Sequence, residues 1–341
     1  MPTALKPKQT VKQLTAVLAP RIRDIIISRY GLGDKTEKMT LESIGKRYGI
    51  TRERVRQIEN YARNAIRKSP TFAKAAPAFE ELERMVDEYG GIVPEEDFLA
   101  HVAKDASARN QVHFLLILGD SFTKHKEDDS FHHRWQVHPE LAEQVHHALK
   151  NLCACMKDKD LMTEPEIIEN FLRELKEVGQ KYKNQDVMHR WLSLSKEIGK
   201  NPLGEWGIAS SPSVRVKGIR DYAYLVIKRH GSPMHFTEVA HTITKLFGKK
   251  AHVATCHNEL IKDPRFVLVG RGLYALKEWG YTSGVVKDVI KHVLKENGAL
   301  TRDEIIGKVR KERYVKDNTI LVNLQDTRLF KRLSDGRYAL A

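Results

Sequence analysis

Apolar residues recur at three- and four-residue spacing through most of this chain, and short alternating stretches interrupt them. The first spacing is typical of amphipathic helices and the second of β-strands, so the pattern predicts a mainly α protein with small β-hairpin wings. One helical stripe is especially regular, and its inward set is Leu41, Ile44, Tyr48, Ile50, Val55, Ile58 and Ala62. Thr40 and Thr51 precede two helices as capping residues, and Gly49 lies between them. The pattern therefore predicts a helix-turn-helix.

A repeat follows. An apolar helix, a turn of small residues, two further helices and a hairpin ending in an aromatic residue recur four times. The turns are marked by Ile92, Met162, Met234 and Leu300, and the aromatic strands by Trp135, Trp206, Tyr274 and Tyr338. Both sets of markers keep a period of about 70 residues, which indicates a tandem array.

Each repeat is interpreted as a winged helix. Because a two-stranded hairpin is marginal alone, we expect it to pack on the three helices, with its aromatic residue in the core rather than stacked on bases. The predicted fold is a helix-turn-helix domain followed by tandem winged-helix domains. The predicted domains are a helix-turn-helix domain at 1–75 and winged helices at 76–140, 141–212, 213–281 and 282–341.

The formal net charge of +14 is unevenly distributed. Residues 1–75 and 211–341 are strongly basic, whereas residues 76–210 carry more Asp and Glu than Lys and Arg. Basic ends favour a polyanion such as DNA, through release of its counterions. The acidic middle is better suited to a protein partner.

Several classes of protein are disfavoured. No apolar run could span a membrane, and the N-terminal residues lack the apolar core of a signal peptide, so we expect a cytoplasmic, nucleoid-associated protein. No catalytic constellation or phosphate-binding loop occurs, so we expect neither an enzyme nor a cofactor. No metal site is predicted either, because the spacing of Cys153 and Cys155 fits structural zinc poorly. We expect those thiols to be buried, and His132, His133 and His138 to lie in a solvated loop.

The outer face of the second helix of the helix-turn-helix has the chemistry of a major-groove reader. Arg donates to guanine, Gln pairs with adenine and Glu accepts from cytosine. Arg52, Glu53, Arg56, Gln57 and Asn60 share this face, with Arg54 beside it. A solvated helix more often carries Glu–Lys pairs at four-residue spacing.

The stretches RDIIISRYGLGD and MTLESIGKRYGITRERVRQIE, within residues 18–68, resemble the fourth conserved region of bacterial sigma factors, which reads the −35 promoter element. The resemblance implies base reading by Arg52, Glu53, Arg56 and Gln57. It implies phosphate contacts by Lys46, Thr51, Arg54, Asn60 and Arg63. It also implies contact with the β-subunit flap of RNA polymerase through helices around 18–30. About 20 residues precede this segment, too few for the sigma domains that open promoters.

Residues 218–281, with GIRDYAYLVIKRHGSPMHFTEVA and DPRFVLVGRGLYALKEW, resemble the winged-helix domain of the RNA polymerase delta subunit. Such domains associate with DNA or polymerase. Possible phosphate contacts in the C-terminal repeats are Lys249, Lys250, Arg271, Lys316 and Asn318, although tandem winged helices also bind proteins.

The sequence thus favours a sequence-specific transcription factor that binds double-stranded promoter DNA and acts with RNA polymerase. One alternative is a delta-like interaction protein of the polymerase with weak or no specific DNA binding. Another is a nucleoid or phage-derived protein without sequence preference. The target promoters, the sign of regulation, the oligomeric state and the arrangement of the domains are left open.

Overall fold

The computed structural model describes residues 5–157, 160–175, 178–282 and 284–341, so parts of the first, third and fifth predicted domains lie outside the described residues. The chain divides into two compact units. The first contains the residues up to Gly199 together with Trp206–Ala209, and the second contains Lys200–Glu205 and Ser210–Ala341. Helices and small antiparallel strands dominate both units, which confirms the predicted fold class.

The first unit begins with five helices that we call the head: α1 (Pro7–Thr15), α2 (Pro20–Tyr30), α3 (Leu41–Tyr48), α4 (Arg52–Arg67) and α5 (Pro70–Lys74). The predicted caps are confirmed. The hydroxyl of Thr40 accepts from the Ser43 N–H at 3.1 Å, and that of Thr51 accepts from the Arg54 N–H at 3.1 Å. Gly49 ends α3 with φ of 65°, a left-handed conformation that glycine adopts without strain.

Two repeats follow in the same unit. The elements of the first repeat are α6 (Ala76–Tyr89), β1 (Ile92–Pro94), α7 (Glu95–Val102), α8 (Ala106–Leu118), β2 (Thr123–His125) and β3 (Arg134–Gln136). Those of the second are α9 (Pro139–Cys155), α10 (Glu164–Glu174), α11 (Gln185–Leu192), β4 (Ile198–Lys200) and β5 (Trp206–Ile208).

The second unit holds two more repeats. The elements of the third repeat are α12 (Ile219–His230), β6 (Met234–His235), α13 (Phe236–Phe247), α14 (Val253–Lys262), β7 (Phe266–Gly270) and β8 (Leu273–Leu276). Those of the fourth are α15 (Val286–Asn297), α16 (Arg302–Glu312), α17 (Asp317–Leu324), β9 (Phe330–Arg332) and β10 (Tyr338–Leu340).

The two markers of the repeat are strand partners. In each repeat the turn before the second helix pairs antiparallel with the aromatic strand, in the pairs Val93–Trp135, Met162–Trp206, Met234–Tyr274 and Leu300–Tyr338. The three aromatic residues Trp135, Trp206 and Tyr274 are buried, as expected, whereas Tyr338 is half-buried against the core of the fourth repeat.

The head and the first repeat share one hydrophobic core. Tyr30 of α2 packs on Phe114 of α8, with ring centroids 4.9 Å apart. The buried Asn110 side chain of α8 donates to the carbonyls of Gly31 at 3.0 Å and Thr36 at 2.8 Å, and Arg67 of α4 donates to Leu118 O at 2.9 Å. The third helix of the first repeat is therefore buried against the head and does not face solvent as a groove-reading helix would.

One expectation about the cysteines is wrong. Cys153 is half-buried and Cys155 is exposed, because the buried stripe of α9 runs through Val145, Leu149 and Leu152 and leaves Cys155 on the other side of the helix. Burial raises the pKa of Cys153 to about 11, which keeps its thiol neutral. His132, His133 and His138 are exposed, as expected.

We expect Asn110→Ala to lower the free energy of unfolding of the first unit by about 1–3 kcal/mol, since two carbonyls of the head lose their buried donor. Urea unfolding followed by tryptophan fluorescence measures this. Asn64→Ala removes an exposed amide from α4 and serves as the control, with an expected change below about 0.5 kcal/mol. Equal effects of the two changes would contradict a joining role for Asn110.

Acid should weaken the same core. His113 of α8 lies 3.7 Å from Glu95, and its ring nitrogens have no hydrogen-bond partner among the described residues. Burial, helped by Lys38, lowers the pKa of His113 from 6.5 to about 4. The unfolded chain therefore binds the proton more readily, and the stability that neutral His113 provides is lost as the pH falls from 6.5 towards 4.

Urea unfolding measured between pH 7 and 4 tests this expectation. Replacement by an uncharged side chain, His113→Gln, should flatten the dependence over that window. An unchanged slope in the variant would assign the acid sensitivity to other groups.

Candidate nucleic-acid interface

The crossing of α3 and α4 depends on a glycine. A Cβ atom on Gly45 would lie 2.7 Å from the carbonyl oxygen of Ile50, which is closer than any side chain allows. Its absence lets the turn between the helices pass over α3. Ile44, Val55 and Ile25 then close a small core between α2, α3 and α4, so that the position of α4 is fixed by packing.

This packing buries one face of α4 and exposes the other. Val55, Ala62 and Ile66 are fully buried, and Ile58 is half-buried. The four predicted base readers, Arg52, Glu53, Arg56 and Gln57, are all exposed in the first two turns. The structure thus brings them together at the N-terminal end of α4, which is the part of a recognition helix that approaches base edges.

Two side-chain pairs order this surface. Arg56 donates to both carboxylate oxygens of Glu53, from Nε at 2.9 Å and from Nη2 at 2.7 Å. Arg54 Nη1 donates to Gln57 Oε1 at 3.1 Å. Hydrogen bonding by Arg56 lowers the pKa of Glu53, so the carboxylate remains ionised. Arg56 is therefore held upright by its neighbour, with part of its guanidinium fork free.

The residues predicted to contact phosphates differ in availability. Lys46 is exposed and lies 3.0 Å from Glu42, one turn earlier in α3. Thr51 uses its hydroxyl as the helix cap. Asn60 and Arg63 are half-buried and hydrogen-bonded to each other. Lys46 and Arg54 are thus the more accessible of the set, and Asn60 and Arg63 would have to part before reaching a phosphate.

Sequence reasoning assigned no role to Tyr61, although the same face of α4 continues through it. Its side chain is 61% exposed, an unusual position for an aromatic residue. Tyr61 follows Gln57 by four residues, and Asn64 follows Asn60 by four. That helical spacing was the signal that could have extended the predicted face by one turn.

The C-terminal residues predicted to contact phosphates do not form one cluster. Lys249 and Lys250 follow α13, and Arg271 occupies the turn between β7 and β8. Lys316 and Asn318 lie at the start of α17 in the fourth repeat. All five are exposed, and Lys249 Nζ lies 4.8 Å from the ring centre of Tyr222.

Two segments match known families of helix-turn-helix domains. Residues 16–68 match the family "Sigma-70, region 4", which covers α2, α3 and α4. Residues 219–279 match the HARE-HTH family, an "ASXL, restriction endonuclease HTH domain", which covers the third repeat. The chain therefore combines a sigma-like, DNA-binding type of helix-turn-helix with a second domain of helix-turn-helix type.

Sigma factors resemble the head segment only. The principal sigma factor HrdD of Streptomyces coelicolor is 40% identical over 75 residues, which is 19% of this chain and 22% of that protein. The sigma factor SigA1 of Synechococcus elongatus is 43% identical over 60 residues, or 18% and 15% of the two chains. RpoS of Coxiella burnetii is 49% identical over 49 residues, 14% of each. The chain spans less than a quarter of the length of these relatives.

Within the described part of the chain, no helix is both long and apolar enough to cross a membrane.

The cap of α4 gives a direct test of how this surface is supported. Thr51→Ala should lower stability by about 0.5–2 kcal/mol, because the Arg54 N–H loses its acceptor at the end that carries the predicted readers. Thr51→Ser keeps the hydroxyl and should recover most of this loss. Thermal unfolding of the three proteins compares them, and an equal loss in the serine variant would show that the methyl group matters rather than the cap.

Proposed function

We propose that this chain is a sequence-specific DNA-binding transcription factor whose head reads a −35-type promoter element and which acts with RNA polymerase. One observation carries the proposal. Four side chains able to read base edges stand together, exposed, on the capped N-terminal half of a helix that packing holds in place. Its role is binding rather than catalysis, in the cytoplasm and on the nucleoid.

The first repeat has a supporting role in this proposal. Because α8 is buried against the head, it acts as a brace that holds α2 and α4 rather than as another reader. DNA contact outside the head would then come from the second unit, where Lys249, Lys250 and Arg271 are exposed on the third repeat and Lys316 and Asn318 on the fourth.

The polymerase flap would meet an altered surface. Leu18, Ile26 and Tyr30 belong to the segment expected to contact the flap, and all three are buried in the core shared with the first repeat. The exposed residues Arg21 and Asp24 of α2 remain available. A polymerase contact at the head would therefore use the charged side of α2, or require α8 to move.

A second candidate is a polymerase-associated interaction protein like the delta subunit, with weak or no specific DNA binding. The family match of the third repeat supports it, as does the acidic surface of the first repeat, where α6 carries Glu80, Glu81, Glu83, Asp87 and Glu88. Such a surface repels DNA and suits a basic protein surface.

Selection of bound sequences from random duplex DNA separates the two candidates. The salt concentration should be about physiological, because backbone binding depends strongly on salt. Enrichment of a motif resembling TTGACA would support the promoter-reading function. No enrichment, together with retention of polymerase in a pull-down, would replace it by the interaction protein.

Single substitutions test the roles of the readers. Arg56→Ala should lose roughly 5- to 150-fold in affinity for the selected site and relax the preference at one base pair, whereas Lys46→Ala should weaken all sequences alike. Arg84→Ala is a matched control, because Arg84 forms the same pair with Glu81, three residues earlier and at 2.7 Å, on α6 of the same unit. Equal losses on specific and random DNA for Arg56→Ala would contradict base reading.

A further inference from the structure

A basic pocket of about 400 Å³ lies at the start of α12, in the second unit. Four cationic and two acidic side chains line it: Arg215, Lys217, Arg220, Arg265, Asp221 and Asp263. Neither the predicted promoter reading nor the predicted phosphate contacts of the third repeat involve these residues.

Both carboxylates are already committed to Arg265. Asp263 accepts from Arg265 Nε at 3.0 and 3.1 Å and from Nη2 at 2.6 Å, and Asp221 accepts from Nη2 at 2.8 Å. The second oxygen of Asp221 caps α12 by accepting from the backbone N–H groups of Lys217 and Gly218, at 3.1 and 3.2 Å. These acids therefore fix the shape of the pocket and are not free to repel an anion.

The remaining cations have no such partners. Arg215, Lys217 and Arg220 are exposed, and none of their side chains has a hydrogen bond or ion pair with another described residue. Arg265 Nη1 is buried, also without an acceptor among the described residues. With four positive and two negative side chains, the pocket keeps a local charge of +2. Unpaired guanidinium donors of this kind call for an anionic acceptor.

The backbone that carries Arg215 and Lys217 is held in place. Ser211 O accepts from the N–H groups of Val214 and Arg215 at 3.0 and 2.8 Å, and the buried amide of Asn201 donates to Ser213 O at 3.2 Å. The cations are thus displayed from a fixed turn, which reduces the entropy lost when a ligand binds.

We propose that this pocket binds the phosphate group of a phosphate ester, either in a free nucleotide or in a nucleic-acid strand. Arginine forks match phosphate oxygens in pairs, and a dianionic phosphate balances the local charge. The volume lies within the range of small-molecule sites. The site is separate from the wing of the third repeat, because β7 carries the chain roughly 16 Å from Arg265 before it reaches the turn at Arg271.

Calorimetric titration of the full chain tests the proposal with three probes: adenosine 5′-triphosphate, a random-sequence duplex of about 20 base pairs, and citrate as a carboxylate of similar charge. The pocket variant combines Arg215→Gln, Lys217→Gln and Arg220→Gln. A control variant of identical charge change combines Arg229→Gln, Lys245→Gln and Arg302→Gln, which are exposed residues of the same unit outside the pocket. Circular dichroism checks that both are folded.

The pocket variant should lose at least tenfold in affinity for one phosphate probe, while the control variant stays within about twofold. A loss with the nucleotide identifies a free phosphate ester as the ligand, and a loss with the duplex alone identifies a strand. Equal losses in the two variants, citrate binding as tight as the phosphates, or no binding of either phosphate at millimolar concentration would overturn the proposal. Arg56→Ala in the head should leave nucleotide binding unchanged, so failure here is distinct from failure of promoter reading.

Discussion

The contact between α2 of the head and α8 of the first repeat supports much of the first unit. A sigma-like helix-turn-helix of about 50 residues has too small a core to be robust alone. Here it extends that core with Phe114 and its neighbours, and Asn110 supplies the buried donor for two loop carbonyls. The position of the DNA-facing helix therefore depends on a helix that the sequence assigns to another domain.

This arrangement explains why similar sequence repeats take different roles. The first repeat gives up the exposure of its third helix and becomes part of the support. In the third repeat, α14 keeps several exposed residues, and the wing ends at the exposed Arg271. The same order of helices and strands thus supplies a brace in one unit and open surfaces in the other.

Sequence reasoning captured local structure well. The caps at Thr40 and Thr51, the glycine at 49 and the buried stripe through Val55 and Ala62 all depend on neighbours within a few residues, so spacing alone reveals them. Tertiary pairing is different, because no local pattern connects Asn110 with the carbonyls of Gly31 and Thr36. The predicted limit at residue 75 likewise reflects composition, whereas the hydrophobic core continues across it. The exposure of Cys155 was missed because a short apolar run says little about which side faces inward.

The strand pairing inside the repeats has a consequence for how this array can change over time. Because each turn residue must stay opposite its aromatic partner, an inserted or deleted residue within either strand would turn the aromatic ring away from the core. Length can vary in the loops between the helices without that penalty. The near-constant period is therefore a trace of selection on register, and lineages of this protein should accumulate insertions between the helices while the two paired strands keep their length.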